Sequence, residues 1–172
     1  MLRVLELFAG IGACSQALTN LNIPHEIVDA VEIDKYAIKS FNAIHGTTFE
    51  PQDITKWDKP LENIDLLVGG FPCQDISVAG KQKGIVANKT RSGLMYEMMR
   101  IIEKIKPKIV IAENVKNILS EKHRPQLKEL CVFLNKQGYS VTMDMLNAKD
   151  YGIPQNRERV FIIGVRDNVE GM

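Results

Sequence analysis

The sequence predicts an α/β protein built on a doubly wound, mostly parallel sheet. Short apolar runs typical of buried strands alternate with segments whose apolar residues recur at helical spacing. Glycine-containing turns follow several of these runs directly. At 172 residues the chain is long enough to bury one core of its own. We therefore interpret residues 1–172 as one domain.

The first half of the chain contains four predicted strands and two predicted helices. The strands cover residues 2–8, 26–33, 64–68 and a short stretch near 48–49. One helix follows the first strand, with Cys14, Leu18 and Leu21 on one face, and another follows the second strand. This alternation supports parallel crossovers in the first half.

The second half begins with a long polar stretch, residues 74–92, whose length is typical of a functional loop. A helix with its apolar face on Leu94, Met98 and Ile105 follows, and Pro107 ends it. A strand at 109–112, a helix that ends near Gly138 and strands at 140–146 and 160–165 complete the chain. No clear helix joins the last two strands, so this pair is expected to include an antiparallel strand.

The composition is that of an ordinary soluble domain, with 45% hydrophobic and 25% charged residues and a net charge of +1. This charge neither requires nor excludes nucleic acid. No apolar run approaches the roughly 18 residues of a membrane span, and no signal peptide is apparent. The three cysteines and three histidines form no metal-ligand spacing, so we expect no metal and a reducing cytoplasm. Cys14 and Cys131 lie on apolar helical stripes and are expected in the core.

A glycine turn between the first strand and helix suggests a nucleoside site. In FAGIG, residues 8–12, glycines would let the backbone approach a ligand. Position 15 is serine where a dinucleotide fingerprint has glycine, which weakens the reading of a nicotinamide site. Glu32 and Asp34 follow the second strand, where a carboxylate can accept both ribose hydroxyls. Asp53 could bond an adenine amino group, or equally cap the turn that it begins.

Three further segments carry side chains suited to catalysis. Cys73, in GGFPCQ, stands on a turn just after a strand, where a thiol can act as a nucleophile. Glu113 comes directly off the strand at 109–112 and could donate a proton. Arg157 and Arg159 precede the last strand and, two positions apart, should point to the same side. They could bind a phosphate or a pyrimidine carbonyl, or form an exposed charged turn.

In this order, the four segments resemble the motifs of DNA (cytosine-5)-methyltransferases over residues 5–164. PCQ at 72–74, ENV at 113–115 and QNRER at 155–159 together are specific to that family, and GKQKG at 80–84 and YGIP at 151–154 support them. The resemblance implies a Rossmann-like, S-adenosylmethionine-dependent methyltransferase fold. It also implies a single catalytic, cofactor-binding domain in which the target-recognition region is absent.

The resemblance assigns a role to each matching residue. Cys73 would attack C6 of a cytosine, Glu113 would hold its N3 and N4 edge, and Arg159 would contact O2 with Arg157 nearby. The residues expected around S-adenosylmethionine, or its product S-adenosylhomocysteine, are Phe8, Gly10, Ile11, Gly12, Glu32, Ile33, Asp53, Ile54, Pro72 and Leu94. The stretch 74–92 would be the mobile catalytic loop, and the residues expected to face double-stranded DNA are Ser77, Lys81 and Gln82. The target base would be flipped out of the duplex.

Several alternatives remain open at the level of sequence. Because no target-recognition region or last motif is visible, the chain would be a subunit of a split enzyme, a truncated product or a recombinant fragment. Such a chain, expected in the cytoplasm of a prokaryote or from a phage, would need a second subunit for robust activity. The rival functions are methylation of tRNA cytosine, a non-catalytic or inactive subunit, and a nicotinamide oxidoreductase.

Overall fold

The chain folds as a six-stranded sheet with helices on both faces. The structure is a computed structural model and describes residues 1–72 and 91–167. The strands are β1 (Leu2–Leu7), β2 (His25–Val31), β3 (Leu66–Gly69), β4 (Ile109–Val115), β5 (Tyr139–Asn147) and β6 (Glu158–Arg166). The helices are α1 (Ala13–Asn20), α2 (Lys35–His45), α3 (Met95–Ile105) and α4 (Arg124–Lys136). Short 3₁₀ turns occupy Ile54–Lys56, Arg91–Leu94, Lys116–Leu119 and Ala148–Tyr151.

The strand order β2-β1-β3-β4-β6-β5 confirms the predicted doubly wound, mostly parallel sheet. β2, β1, β3 and β4 run parallel to one another, whereas β6 is antiparallel to both of its neighbours. The expected antiparallel element is therefore confirmed. Its cause is the link between β5 and β6, which is too short for a crossover helix.

The core is divided by the sheet because neighbouring residues in a strand face opposite sides. Leu5 and Leu67 pack with the apolar faces of α3 and α4 in the main cluster. Val4 and Leu66, one position earlier in each strand, pack with Leu18 of α1 on the other side. Helices thus cover both faces, and the carboxyl ends of the parallel strands stay open at one edge.

The prediction of a short strand near residues 48–49 is wrong, because no strand forms there. The backbone of Phe49 pairs instead with the side chain of Asn42 in α2, whose Nδ2 donates to Phe49 O at 2.8 Å and whose Oδ1 accepts from Phe49 N at 3.0 Å. Thr47 Oγ1 donates to the same Asn42 oxygen at 2.8 Å. One amide side chain replaces the sheet partner that the extended backbone would otherwise need.

The Tyr139 hydroxyl closes the junction between α3 and β5, donating to Pro107 O at 2.6 Å in a buried position. Tyr139→Phe keeps the ring but leaves that carbonyl without this donor. We expect a loss of about 1–2 kcal/mol in the free energy of unfolding, measured by urea denaturation. The control is Tyr151→Phe, whose ring is exposed and which should change stability by less than about 0.5 kcal/mol. Equal stability of Tyr139→Phe and the native chain would contradict this assignment.

Candidate active site

Glu113 and Arg159 meet at the open edge of the sheet because β4 and β6 are antiparallel. In the register Glu113 lies opposite Phe161 and Val115 opposite Arg159, so Glu113 and Arg159 occupy a diagonal position on one face. Arg159 Nε lies 2.8 Å from Glu113 Oε1, with the two side chains 23% and 27% exposed respectively. A carboxyl and a guanidinium thus form one partly desolvated pair, which the sequence analysis did not predict.

The pair holds Glu113 in an unusual electrostatic setting. Burial raises the pKa of this carboxyl above its ordinary value, although the charges of Arg159 and then Arg157 oppose the shift. Desolvation therefore outweighs two nearby cations. A carboxyl with a raised pKa can hold a proton at a higher pH than an exposed glutamate can, which suits a proton donor.

Asn114 and Gly70 connect this pair to the turn that precedes Cys73. Asn114 is buried on the other face of β4, and its Nδ2 donates to Phe71 O at 3.1 Å. A Cβ placed on Gly70 would lie 3.2 Å from Glu113 Oε2, so the turn passes directly beside the carboxyl. Sequence reasoning assigned neither residue a role. The sequence pattern that could have identified Asn114 is the alternation of side chains along a strand. When Glu113 faces the site, Asn114 must point to the opposite face of the sheet.

Arg157 lies just outside β6, beside the same pair. Its backbone N–H donates to Asn147 Oδ1 at 3.1 Å, which fixes the entry into the strand. Arg157 and Arg159 together line two cavities, of about 360 Å³ and about 230 Å³, on the two sides of this segment. The larger is polar, and the smaller is bordered by Tyr151 and Phe161. Arg159 is half-buried and paired with Glu113, so it does not belong to a purely solvated charged turn, whereas Arg157 is exposed.

The glycine turn after β1 is built from left-handed backbone. Gly10 and Gly12 have φ of 56° and 85°, and Phe8, which carries a side chain, has φ of 54°. Gly12 N donates to Ala9 O at 2.9 Å, which closes the turn. A non-glycine residue in this conformation is strained, and such strain is typical of ligand sites. Ile11, at the tip, is exposed.

Ser15, at the position where a dinucleotide fingerprint has glycine, anchors α1 to the sheet. Its backbone N–H donates to Glu6 Oε1 at 3.0 Å, and its hydroxyl bonds the same oxygen. Glu6 and Ser15 are both buried, and burial raises the pKa of Glu6, while the bonds from Ser15 oppose that shift. Ser15 thus fixes the start of α1 to the sheet through buried hydrogen bonds, whereas a glycine at this position would allow closer packing of helix and strand.

Glu32 joins the segments that were predicted to surround a nucleoside. Its Oε2 accepts from Gly10 N at 3.0 Å and its Oε1 from Asp34 N at 2.8 Å. Its backbone O accepts from Gln52 N at 2.7 Å. A carboxylate has about four acceptor sites, so Glu32 can still accept hydroxyl donors. Asp34, the other candidate, instead caps α2 through bonds to Tyr36 N and Ala37 N.

Asp53 has the local role that the sequence left open. Its Oδ1 accepts from Thr55 Oγ1 at 2.8 Å and Thr55 N at 3.0 Å, and these bonds lower the pKa of Asp53.

Ile54 is buried, whereas Ile33 is 70% exposed. A cavity of about 410 Å³, lined in part by Asp53 and Trp57, opens beside this turn.

The remaining predicted residues divide into two groups. Pro72 and Leu94 are half-buried, Leu94 against the main core. Cys73, Ser77, Lys81 and Gln82 lie outside the described residues.

The two other cysteines are poorly suited to act as nucleophiles. Cys14 and Cys131 are half-buried against the core, as predicted. Burial, with a smaller contribution from Glu6, raises the pKa of Cys14 to about 12. Burial also raises the pKa of Cys131. A raised pKa keeps a thiol protonated, so neither is an alternative to Cys73 on chemical grounds.

Residues 1–72 and 91–167 contain no cluster of three or more acidic, histidine or cysteine side chains that could hold a metal. Within the same ranges, no helix has the length and apolar character needed to cross a bilayer.

The chain is similar to known methyltransferases. The family model of C-5 cytosine-specific DNA methylases matches residues 2–171. The orphan methyltransferase M.SPRI of Bacillus phage SPR is 42% identical over 98% of this chain and 38% of its own length. The type II methyltransferase M2.ScrFI of Lactococcus lactis subsp. cremoris is 38% identical over 96% of this chain and 61% of its own. The Dnmt2 methyltransferase of S. pombe superposes with a TM-score of 0.75 at 26% identity, covering 100% of this chain and 51% of that one. The chain thus spans less than two thirds of each relative.

Proposed function

Because this chain belongs to the family of C-5 cytosine-specific DNA methylases, we propose that it carries the catalytic and donor-binding part of such an enzyme. The reaction is transfer of a methyl group from S-adenosylmethionine to C5 of a cytosine in duplex DNA. The observation that carries the proposal is the Glu113–Arg159 pair, which lies against Gly70, three residues before Cys73. Residues 1–172 act as a single domain in this proposal.

The donor fits the residues at the open edge of the sheet. The left-handed turn at Gly10 and Gly12 lets backbone approach the ligand, and Glu32 retains acceptor capacity for ribose hydroxyls. The exposed Ile33 offers an apolar surface for adenine, with Asp53 and Ile54 near its amino group. Phe8, Ile11, Pro72 and Leu94 complete the proposed pocket. When bound, S-adenosylmethionine supplies a methyl group activated by its sulfonium charge and leaves as S-adenosylhomocysteine.

Cys73 makes C5 of cytosine reactive by adding to C6. The new S–C6 bond breaks the aromaticity of the ring and gives C5 enamine character, so that C5 can take up the methyl group. Loss of the C5 proton to a base then expels the Cys73 thiolate and restores the ring. Overall, the cytosine gains one methyl group at C5 and releases one proton.

Glu113 and Arg159 stabilise the charge that the addition creates. Glu113, with its raised pKa, donates a proton to N3 or shares one with it and takes that proton back when the thiolate leaves, and Arg159 bonds the O2 oxygen. Arg157 lies beside both and positions the neighbouring backbone or phosphate. These roles require the base outside the duplex, at a cost of a few kcal/mol.

DNA is the proposed substrate, and Ser77, Lys81 and Gln82 are its proposed contacts in the segment after Cys73. The proposal follows the family description and the bacterial and phage relatives, which also suggest a cytoplasmic location beside the host's DNA. We propose that the choice of DNA sequence depends on a region or second subunit corresponding to the length of the relatives that this chain does not match.

Covalent trapping tests the nucleophile directly. Duplex DNA containing 5-fluorocytosine should remain attached to the protein in the presence of S-adenosylmethionine, because fluorine cannot leave C5 as a proton. We expect a protein–DNA adduct on a denaturing gel, tested with the chain alone and with a candidate recognition subunit added. Cys73→Ser should give no adduct, whereas Cys131→Ser should trap as the native chain does. Trapping by Cys73→Ser would refute the assignment.

A further inference from the structure

Asp29, in the middle of β2, is a buried carboxylate that the proposed reaction does not use. Asp29 is 1% exposed to solvent. Oδ1 accepts from Gln52 Nε2 at 2.8 Å and from Ala30 N at 3.1 Å. Oδ2 accepts from Trp57 Nε1 at 2.8 Å and lies 2.8 Å from Lys59 Nζ. Three of these four donors come from one short segment, residues 52–59.

That segment carries the two residues proposed to meet adenine. Asp53 and Ile54 lie between Gln52 and Trp57, so Asp29 binds the side chains of the residues on both sides of them. On its other side the segment is held by α3, where Arg100 Nη2 donates to Ile54 O and Trp57 O at 3.0 Å each. The segment is irregular apart from one 3₁₀ turn. Its position therefore depends on these side-chain bonds rather than on a sheet ladder.

The same bonds set the position of this segment relative to Glu32. Gln52 N donates to Glu32 O at 2.7 Å, and Gln52 Nε2 donates to Ala30 O at 3.0 Å as well as to Asp29. A buried carboxylate is costly unless several donors compensate it, so an arrangement with four donors specifies one geometry closely. Ligand-contacting residues need such support to stay in position.

We propose that Asp29 is a positioning residue for the adenine end of the methyl donor. By holding Gln52 and Trp57 it fixes Asp53 and Ile54 at a set distance from Glu32, so that one rigid site receives both adenine and ribose. This inference rests on the proposed use of S-adenosylmethionine. Asp29 does not touch the donor; it acts through the segment 52–59.

The test uses Trp57, the single tryptophan of the chain, as a fluorescence probe. Asp29→Asn keeps the size of the side chain but replaces one acceptor oxygen with a donor. We expect the Kd for S-adenosylhomocysteine, measured by calorimetry on the 172-residue chain, to rise about 10-fold, which corresponds to the net loss of one hydrogen bond. The emission of Trp57 should change in the same variant, because its Nε1 partner is altered.

Asp65→Asn is the matched control. Asp65 is a half-buried carboxylate, 2.7 Å from Lys108 Nζ and accepting from Arg3 N at 2.8 Å, but it lies just before β3, at the amino-terminal end of the strands. Its replacement should lower thermal stability while leaving the Kd unchanged within about twofold. A rise in Kd as large as that of Asp29→Asn would mean that the effect follows general loss of stability, and would overturn the inference.

Coupling to Asp53 separates positioning from a structural role. If Asp29 acts through Asp53, the losses in Asp29→Asn and Asp53→Ala should be clearly less than additive in the double variant. Should Asp29→Asn fail to fold, Trp57→Phe removes one donor and keeps the apolar ring, and the same cycle is run with it. Fully additive losses, or native affinity in a folded Asp29→Asn, would overturn the inference and leave the donor proposal intact. Failure of the native chain to bind S-adenosylhomocysteine would overturn both.

Discussion

Glu113→Gln is expected to lower the rate of methyl transfer by two to four orders of magnitude, about the usual contribution of a positioned proton donor. Glutamine can still meet the edge of a cytosine but cannot give a proton to N3. The Kd for S-adenosylhomocysteine should stay within about threefold of the native value, since the residues proposed to bind the donor lie around Glu32. Steady-state rates with duplex DNA and calorimetry measure the two quantities. The control is Glu103→Gln, at an exposed glutamate on α3 whose Oε1 accepts from Gln137 Nε2 at 3.1 Å.

The pH dependence gives a second, independent check on Glu113. Burial raises its pKa, so the active protonated carboxyl is lost as the pH rises through that raised value. Ionisation of the Cys73 thiol acts in the other direction, because thiolate increases as the pH rises. The native rate should therefore pass through a maximum, and Glu113→Gln should lose the falling limb. A falling limb that survives in Glu113→Gln would mean that another group supplies the proton.

Gly12→Ala is expected to cost about 3 kcal/mol in the free energy of unfolding, a sum of left-handed strain and steric overlap. At φ +85° an added Cβ would overlap His45 Nε2 and lie 2.8 Å from Phe41 Cε2. His45 can turn away only by giving up its contact with Ile11 O at 3.2 Å, and Phe41 is fully buried. Urea denaturation of the purified variant measures the loss.

Gly46→Ala isolates the strain from the overlap. Gly46 also has a left-handed backbone, with φ +65°, but an added Cβ there would meet nothing within 4 Å. We expect a loss of only about 1 kcal/mol. Equal losses at the two glycines would show that the region around Gly12 relaxes freely, which contradicts a rigid glycine turn.

Local sequence was sufficient to identify the strands and the edge at which they end. Glu113 could be predicted because it follows a buried run directly, and Glu32 because it follows the second strand. Arg159 could be named, but its contact with Glu113 depends on the antiparallel register of β6 with β4, which is set by tertiary pairing. The pattern at 48–49 resembled a strand because extended backbone satisfied by Asn42 has the same local signature.

The residues that sequence reasoning missed are the ones whose partners are distant in the chain. Asn114 bonds Phe71, 43 positions away, and Asp29 bonds Trp57, 28 positions away. A single aspartate within an apolar strand produces no periodic pattern that would predict its role. That role depends on which hydrogen-bond donors the fold places beside its carboxylate. Asp53 shows the converse: the capping role was visible locally, because Thr55 follows two positions later.

The antiparallel placement of β6 also has a consequence for the order of folding. Glu113 and Arg159 are brought together only when the final hairpin docks, whereas β1 to β4 can pair from residues synthesised earlier. Amino-terminal segments are synthesised first, so they can pair before residues 139–166 are available. We expect a nascent chain to form the half proposed to bind the methyl donor before the half proposed to activate the base. Until the hairpin docks, Glu113 lacks the guanidinium of Arg159, so this pair is the last part of the proposed site to form.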